Sequence, residues 1–211
     1  MTFDSPTLRA SMITSHVGFA AGERVLDVSL YGRLGHGQQP ISIAIQRSCH
    51  GAVVTAVYEN QRLRASAQRK LTAAGVDVAL MDGRPEALPF QPMSFDTVVS
   101  SLLFHHLDDA RKQRVLREMH RVLGPGGRIV VLDWTRPATA ALRLAFWTVR
   151  ATDGFLQTAA ACRGELVRMM QQAGFADASE VSTHDAFPGT LGLFCGSKAS
   201  AGLHTNGGLA R

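Results

Sequence analysis

The stretch RVLDVSLYGRLGHGQQP, residues 24–40, decides the fold. Its first five residues, Arg24 to Val28, form a short apolar run that carries one acid, Asp27, and follows the Gly22-Glu23 turn. Ser29 to Pro40 then reads as a loop with three glycines, Gly32, Gly35 and Gly37. Such a loop, leading into a helix, presents unpaired backbone N–H groups, and its glycines let a ligand approach the backbone closely. Ile41 to Arg47 is predicted as that helix, although its alternation also permits a strand.

Outward from this stretch, strand and helix signals alternate. Ala52–Val57 is a valine-rich second strand, bounded by Gly51 and by Glu59-Asn60-Gln61. Arg62–Ala74 is an amphipathic helix with Leu63, Ala67 and Leu71 four apart, and Gly75 fits its C-terminal cap. Val76–Met81 and Phe95–Ser101 give the third and fourth strands, and Asp109–Leu123 another helix. Gly124-Pro125-Gly126-Gly127 ends it sharply, and Arg128–Trp134 is the fifth strand. Strands that read as continuous apolar runs between helices argue for a parallel sheet covered on both faces, hence a doubly wound α/β fold with right-handed crossovers. Beyond Pro137 the reading is a long helix from Ala138 to about Arg150 and another from Arg163 to Ala173, stopped by Gly174. Ala178–Val181 and Thr190–Cys195 supply an antiparallel pair at the sheet edge. Residues 1–198 form one domain, and 199–211, small and glycine-rich, read as a disordered tail.

Composition bounds the partners. The chain has 211 residues, of which 45% are hydrophobic and 18% charged, which suits one globular domain. The net charge is +5. Nine of its 22 lysines and arginines fall on two amphipathic helices: Arg62, Arg64, Arg69 and Lys70 on one, Arg111, Lys112, Arg114, Arg117 and Arg121 on the other. They read as solvated faces, not as a stripe tracking phosphates, so no nucleic-acid partner is expected. Cys49, Cys162 and Cys195 are odd in number and lack metal-ligand spacing, so no disulfide framework and no metal site is indicated. Met1–Thr14 shows no signal-peptide stretch, and no apolar run reaches the roughly 18 residues of a membrane helix. A cytoplasmic protein without membrane insertion follows, and a homodimer is left open.

In open α/β sheets, ligands bind beyond the carboxyl ends of the strands, where strand order reverses. The loops concerned follow Val28, Val57, Met81 and Ser101. Five motifs then appear in order: Val25-Leu26-Asp27-Val28, Leu88-Pro89-Phe90, Ser94-Phe95-Asp96-Thr97-Val98-Val99-Ser100, Phe104-His105-His106-Leu107, and Arg121-Val122-Leu123-Gly124-Pro125-Gly126-Gly127. Together they resemble class I S-adenosylmethionine-dependent methyltransferases, in the branch similar to ubiquinone/menaquinone-biosynthesis enzymes. The resemblance runs from about Glu23 to Trp134, with a weaker echo through Asp153-Gly154-Phe155, Arg163-Gly164-Glu165-Leu166 and Ala173-Gly174-Phe175.

The resemblance implies a Rossmann-like methyltransferase fold, S-adenosylmethionine as cofactor and a small molecule, aromatic or quinone-like, as substrate. Cofactor positions carry over to Asp27, to Gly35 and Gly37 in the glycine loop, and to Ser101 at the end of the fourth strand. The family's ribose-binding acid falls on Tyr58, with Glu59 one place later; the acid near the adenine amino group falls on Arg84, with Asp82 two residues away. Glu59 and Asp82 are the candidate substitutes. Without compensation, the absence of both hydrogen bonds, at about 1.5–3 kcal/mol each, would weaken a cofactor severely. The rival reading is therefore a protein of this fold that has lost catalysis and serves as a binding, regulatory or partner protein.

His105 and His106 lie in the loop that, in this family, faces the reactive methyl group. A neutral histidine can take a proton from a phenol or hydroxyl nucleophile near working pH, so both are candidate catalytic bases. The competing reading has both merely capping the strand end beside Phe104. His120 reads as structural, and Phe146, Trp147, Phe155 and Leu156 as core residues or a substrate lid; Asp133-Trp134-Thr135, at the end of the fifth strand, is placed to line the same mouth.

Overall fold

The computed structural model describes residues 6–29, 40–153, 158 and 163–200 of the chain. Seven strands form one sheet in the order β3-β2-β1-β4-β5-β7-β6. Strands β1 (Arg24–Asp27), β2 (Val53–Tyr58), β3 (Ala79–Asp82), β4 (Phe95–Ser101) and β5 (Leu123–Thr135) run parallel. β7 (Gly189–Ser197) lies antiparallel between β5 and β6 (Ala176–Ala186). The doubly wound, mostly parallel arrangement with an antiparallel edge pair is thus present. Strand order reverses between β1 and β4, which places the carboxyl ends at Asp27 and Ser101 side by side.

Two apolar layers cover the sheet. On one face α1 (Pro6–His16), α2 (Ile41–Ser48) and α3 (Gln61–Ala74) pack through Met12, Ile13, Ile41, Ile45, Ala67 and Leu71. On the other, α4 (Asp109–Val122) packs through Val115, Leu116, Met119 and Val122. Local chemistry sets the helix ends as the sequence indicates. The Asn60 side chain accepts from Leu63 N–H at 3.0 Å, and Gly75, at φ 65°, closes α3 in the left-handed region. The Asp108 side chain accepts from Arg111 N–H at 2.8 Å and caps α4.

Several elements differ from the sequence reading. α1 has no counterpart in it: the apolar residues of this helix are sparse, and the burial of Met12, Ile13 and Val17 against the sheet holds it. The long helix after Pro137 is two short ones, α5 (Ala140–Ala145) and α6 (Trp147–Asp153). Phe146 sits at the break and drives its ring into the core, 5.7 Å from that of Trp134. The helix read from Arg163 shortens to α7 (Leu166–Gln172), because Gly164 turns at φ 67°. Both edge strands extend further than the four- and six-residue runs read from sequence. The glycines after α4 form an irregularity inside β5, where register shifts between Phe95↔Leu123 and Thr97↔Arg128. Gly127 is required there, since a Cβ would stand 2.9 Å from the Asp96 carbonyl oxygen. Phe155, Leu156, Cys162 and the tail from residue 201 onward lie outside the described residues.

The basic face of α4 also needs correction. Lys112 is 2% exposed, because it shares the inward spacing of Val115, Leu116 and Met119. Arg121 is a clamp: it donates to the carbonyls of Phe90 at 2.8 Å and Leu88 at 3.0 Å, and pairs with Glu118 at 2.7 Å. Glu118 in turn accepts from Leu88 N–H at 2.9 Å. Arg121→Met is expected to lower unfolding free energy by about 1.5 kcal/mol, as two charge-assisted hydrogen bonds at a half-buried site disappear. A urea midpoint equal to that of the parent would show the clamp to be idle.

His120 is structural, as read. It stacks edge-on against Phe175 at 5.1 Å, and burial, then the Lys198 charge, push its ring below the usual imidazole range. Among the described residues no helix is long and apolar enough to cross a membrane.

Candidate active site

At the switch point, Asp27 is wholly buried and gathers three elements. Ser29 Oγ donates to its Oδ1 at 2.5 Å, while Ser42, in the first turn of α2, gives its N–H at 3.2 Å and its hydroxyl to Oδ2. Ser101 N–H then donates to Ser29 Oγ at 2.9 Å, which ties the end of β4 into the same network. One carboxylate therefore pins both flanks of the glycine loop. Gly35 and Gly37 themselves, with His36, lie outside the described residues. Ser29 and Ser42 were not singled out from sequence; serines flanking a strand-end acid were the available signal.

Tyr58 ends β2 and is buried. Burial, then the nearby Asp27 charge, raise its phenol far above the physiological range, so it stays neutral. Glu59 follows the strand without a bulge and is exposed. Asp82 is exposed at the end of β3 and pairs with Arg64 of α3 at 2.8 Å. Arg84 is exposed, 4.0 Å from Glu86.

Beyond β4 the chain turns at Leu102, whose φ of 54° lies in the left-handed region that favours glycine. Its N–H bonds to the Leu132 carbonyl at 2.8 Å, which holds the turn. The turn carries Phe104–His106 as one 3₁₀ turn over the ends of β4 and β5. There His105 is buried and its Nδ1 lies 2.7 Å from Asp133 Oδ1. Asp133 also accepts from Phe104 N–H and Trp134 N–H, each at 2.7 Å. Complete burial pushes its carboxyl up, but the charge and hydrogen bond of His105 and the two N–H groups outweigh this and hold it below the usual range. A carboxylate only accepts, so the ring presents Nδ1–H to it, and in neutral His105 the basic nitrogen is Nε2. His106 is half-buried, its ring 3.9 Å from that of His105. Lys112, Trp134 and Met169 share a small cleft with His105 and Asp133. Sequence reasoning places Asp133 at the mouth of the site without pairing it with His105, and it leaves Lys112 on a solvated face.

Residues 33–131 match a family model described as a methyltransferase domain. A demethylmenaquinone methyltransferase from Thermus thermophilus is 32% identical over 126 residues, 60% of this chain and 54% of that protein. The ubiquinone/menaquinone biosynthesis C-methyltransferase UbiE of Cronobacter sakazakii is 33% identical over 61% of this chain and 49% of its own length. Over residues 33–131, just under half of its length, the chain is thus similar to methyltransferase domains, and the relatives it resembles there include ubiquinone/menaquinone-biosynthesis enzymes. It spans about half the length of the curated relatives it matches. Among solved structures, YcgJ of Bacillus subtilis overlays this methyltransferase-like chain with a TM-score of 0.69 at 16% identity, covering 92% of this chain and 99% of that one. The [4+2]-cyclase SpnF gives 0.66 at 17% identity, covering 92% and 81%. The fold is shared by both, so the reaction has to be argued from the side chains.

Proposed function

We propose that this protein transfers a methyl group from S-adenosylmethionine to a small aromatic or quinone-like acceptor, with His105 as general base. The observation that carries the reading is the buried His105–Asp133 pair, set over the ends of β4 and β5 beside the Asp27 network. The activities for which the Thermus and Cronobacter relatives are named support the same reaction class.

The donor set suits a nucleoside with an amino-acid tail. Asp27 holds Ser29 and Ser42, which flank the glycine-bearing segment, and Glu59 stands exposed past β2 as an acceptor for ribose hydroxyls. When bound, S-adenosylmethionine supplies a methyl group on a sulfonium, open to displacement by a nucleophile. The chain's own residues orient the acceptor and receive its proton. Asp133 keeps the ring of His105 turned so that Nε2 takes that proton, and the resulting imidazolium is stabilised by the carboxylate on its other side.

Isothermal titration with S-adenosylhomocysteine is expected to give a Kd below about 1 mM, in the range of ordinary enzyme ligands. Glu59→Ala is expected to weaken it by about tenfold or more, the loss of one charge-assisted hydrogen bond. An unchanged affinity would remove Glu59 from the site. No heat from the parent protein at millimolar ligand would overturn the reading and leave a methyltransferase-fold protein that does not methylate.

A further inference from the structure

Between α1 and α2, below the end of β4, lies a cavity of about 330 Å³. It is lined from Thr7 to Thr14 on α1 and from Ile41 to Ser48 on α2, a run of about 10 Å along each helix. Its upper wall is Ser101. This side chain is 3% exposed, and its hydroxyl is buried with no hydrogen-bond partner among the described residues. A buried hydroxyl left so is costly, and a ligand oxygen or N–H at that place would satisfy it. Arg9 and Arg47 also line the cavity, and no acidic side chain does among the described residues. The remaining wall mixes apolar side chains, among them Ala10, Ile41 and Ala44, with Thr7, Thr14 and Ser48.

We propose that this cavity seats the methyl acceptor and selects one that carries a carboxylate. This rests on the methyl-transfer reading above and adds the charge class of the acceptor. The volume takes a molecule of one or two rings, and the apolar helix faces take the ring system. Ser101 ends β4, and only Leu102 and Leu103 separate it from the Phe104–His106 turn, so a ligand bonded to its hydroxyl lies at the same sheet edge as His105. An arginine guanidinium matches a planar carboxylate with two parallel hydrogen bonds.

The test titrates the full-length chain with benzoate, 4-hydroxybenzoate and indole-3-acetate and with the methyl ester of each. S-adenosylhomocysteine and 5′-methylthioadenosine, the latter without a carboxylate, are titrated alongside. At least one acid is expected to bind tenfold or more tighter than its ester. Arg47→Met should reduce acid binding by tenfold or more while leaving S-adenosylhomocysteine affinity unchanged, and Ser101→Ala should reduce acid binding by tenfold or more. Arg9→Met is added, with circular dichroism to establish that it folds; Arg47, being exposed, keeps the test open if it does not. Acids and esters binding equally, or none binding, overturns the proposal. A loss of S-adenosylhomocysteine affinity in the arginine variants, with methylthioadenosine unaffected, also overturns it, because the cavity then belongs to the amino-acid end of the cofactor. Failure of the parent protein to bind either nucleoside would strike the methyl-transfer reading instead, and the acid-against-ester comparison would still stand.

Discussion

Asp133→Asn is expected to slow methyl transfer by about a hundredfold or more, the ordinary contribution of a positioned general base. Asp133 accepts from three donors, His105 Nδ1, Phe104 N–H and Trp134 N–H. An asparagine has one accepting oxygen and a donating amide, so one side must set donor against donor. If the amide faces Phe104, a buried N–H loses its partner. If it faces His105, the ring must turn its proton to Nε2, and the base is gone. Either way stability should fall by about 1–3 kcal/mol, the cost of an unsatisfied buried group. The pH dependence separates this role from simple packing. The Asp133 carboxyl is held below its ordinary value in the folded state, so the stability it contributes is present above the unfolded pKa, about 4, and is lost as pH falls below it. The stability gap between parent and variant, measured by urea unfolding, should therefore be full at pH 6 and shrink toward pH 3. A constant gap would mean that the carboxylate charge contributes nothing. His105→Ala should show the same rate loss if the histidine is the base, and near-normal turnover would assign the role elsewhere.

Asp27→Ala is expected to be the most damaging change to the fold. It removes a buried acceptor from Ser29, from the Ser42 hydroxyl and from the Ser42 N–H, all buried. Hydrogen bonds to a charged group are worth about 1.5–3 kcal/mol each, and they are not additive in one network, so a loss of about 3–5 kcal/mol is expected. That is a large share of the stability of an ordinary domain. The second effect is on binding: with Ser29 and Ser42 released, the two flanks of the glycine loop are no longer held to one point. S-adenosylhomocysteine affinity should fall by more than about a hundredfold in whatever fraction stays folded. Titration at about 10 °C, near the usual temperature of maximum stability, with circular dichroism on the same sample, measures both. A folded variant with parent-like affinity would show that the loop is organised by its own residues.

The architecture was legible because its signals are local. The apolar runs ending at Asp27 and Ser101, the cap at Gly75 and the break after α4 are each written in a few consecutive residues, and chain alternation then leaves few sheet orders. Asp27, Ser101 and His105 were singled out through the resemblance, on motifs that lie at or just past strand ends. The structure places them at the switch point, while Glu59 and Asp82 stand exposed at neighbouring strand ends.

Their partners were not legible. His105 and Asp133 are 28 residues apart and meet only because β4 and β5 pair in parallel, Ser101 opposite Leu132, so that the turn after β4 lies against the last residues of β5. Lys112 reads as a surface lysine until α4 is seated with that face inward. α1 carries too weak a pattern to announce itself, yet it walls the cavity against α2. The sequence by itself determined which segments become strands and helices, since propensity, capping and periodicity act over a few residues. Only the tertiary structure decided which polar side chains are shut away from water together, because burial and pairing depend on surfaces that meet after the sheet has closed its order.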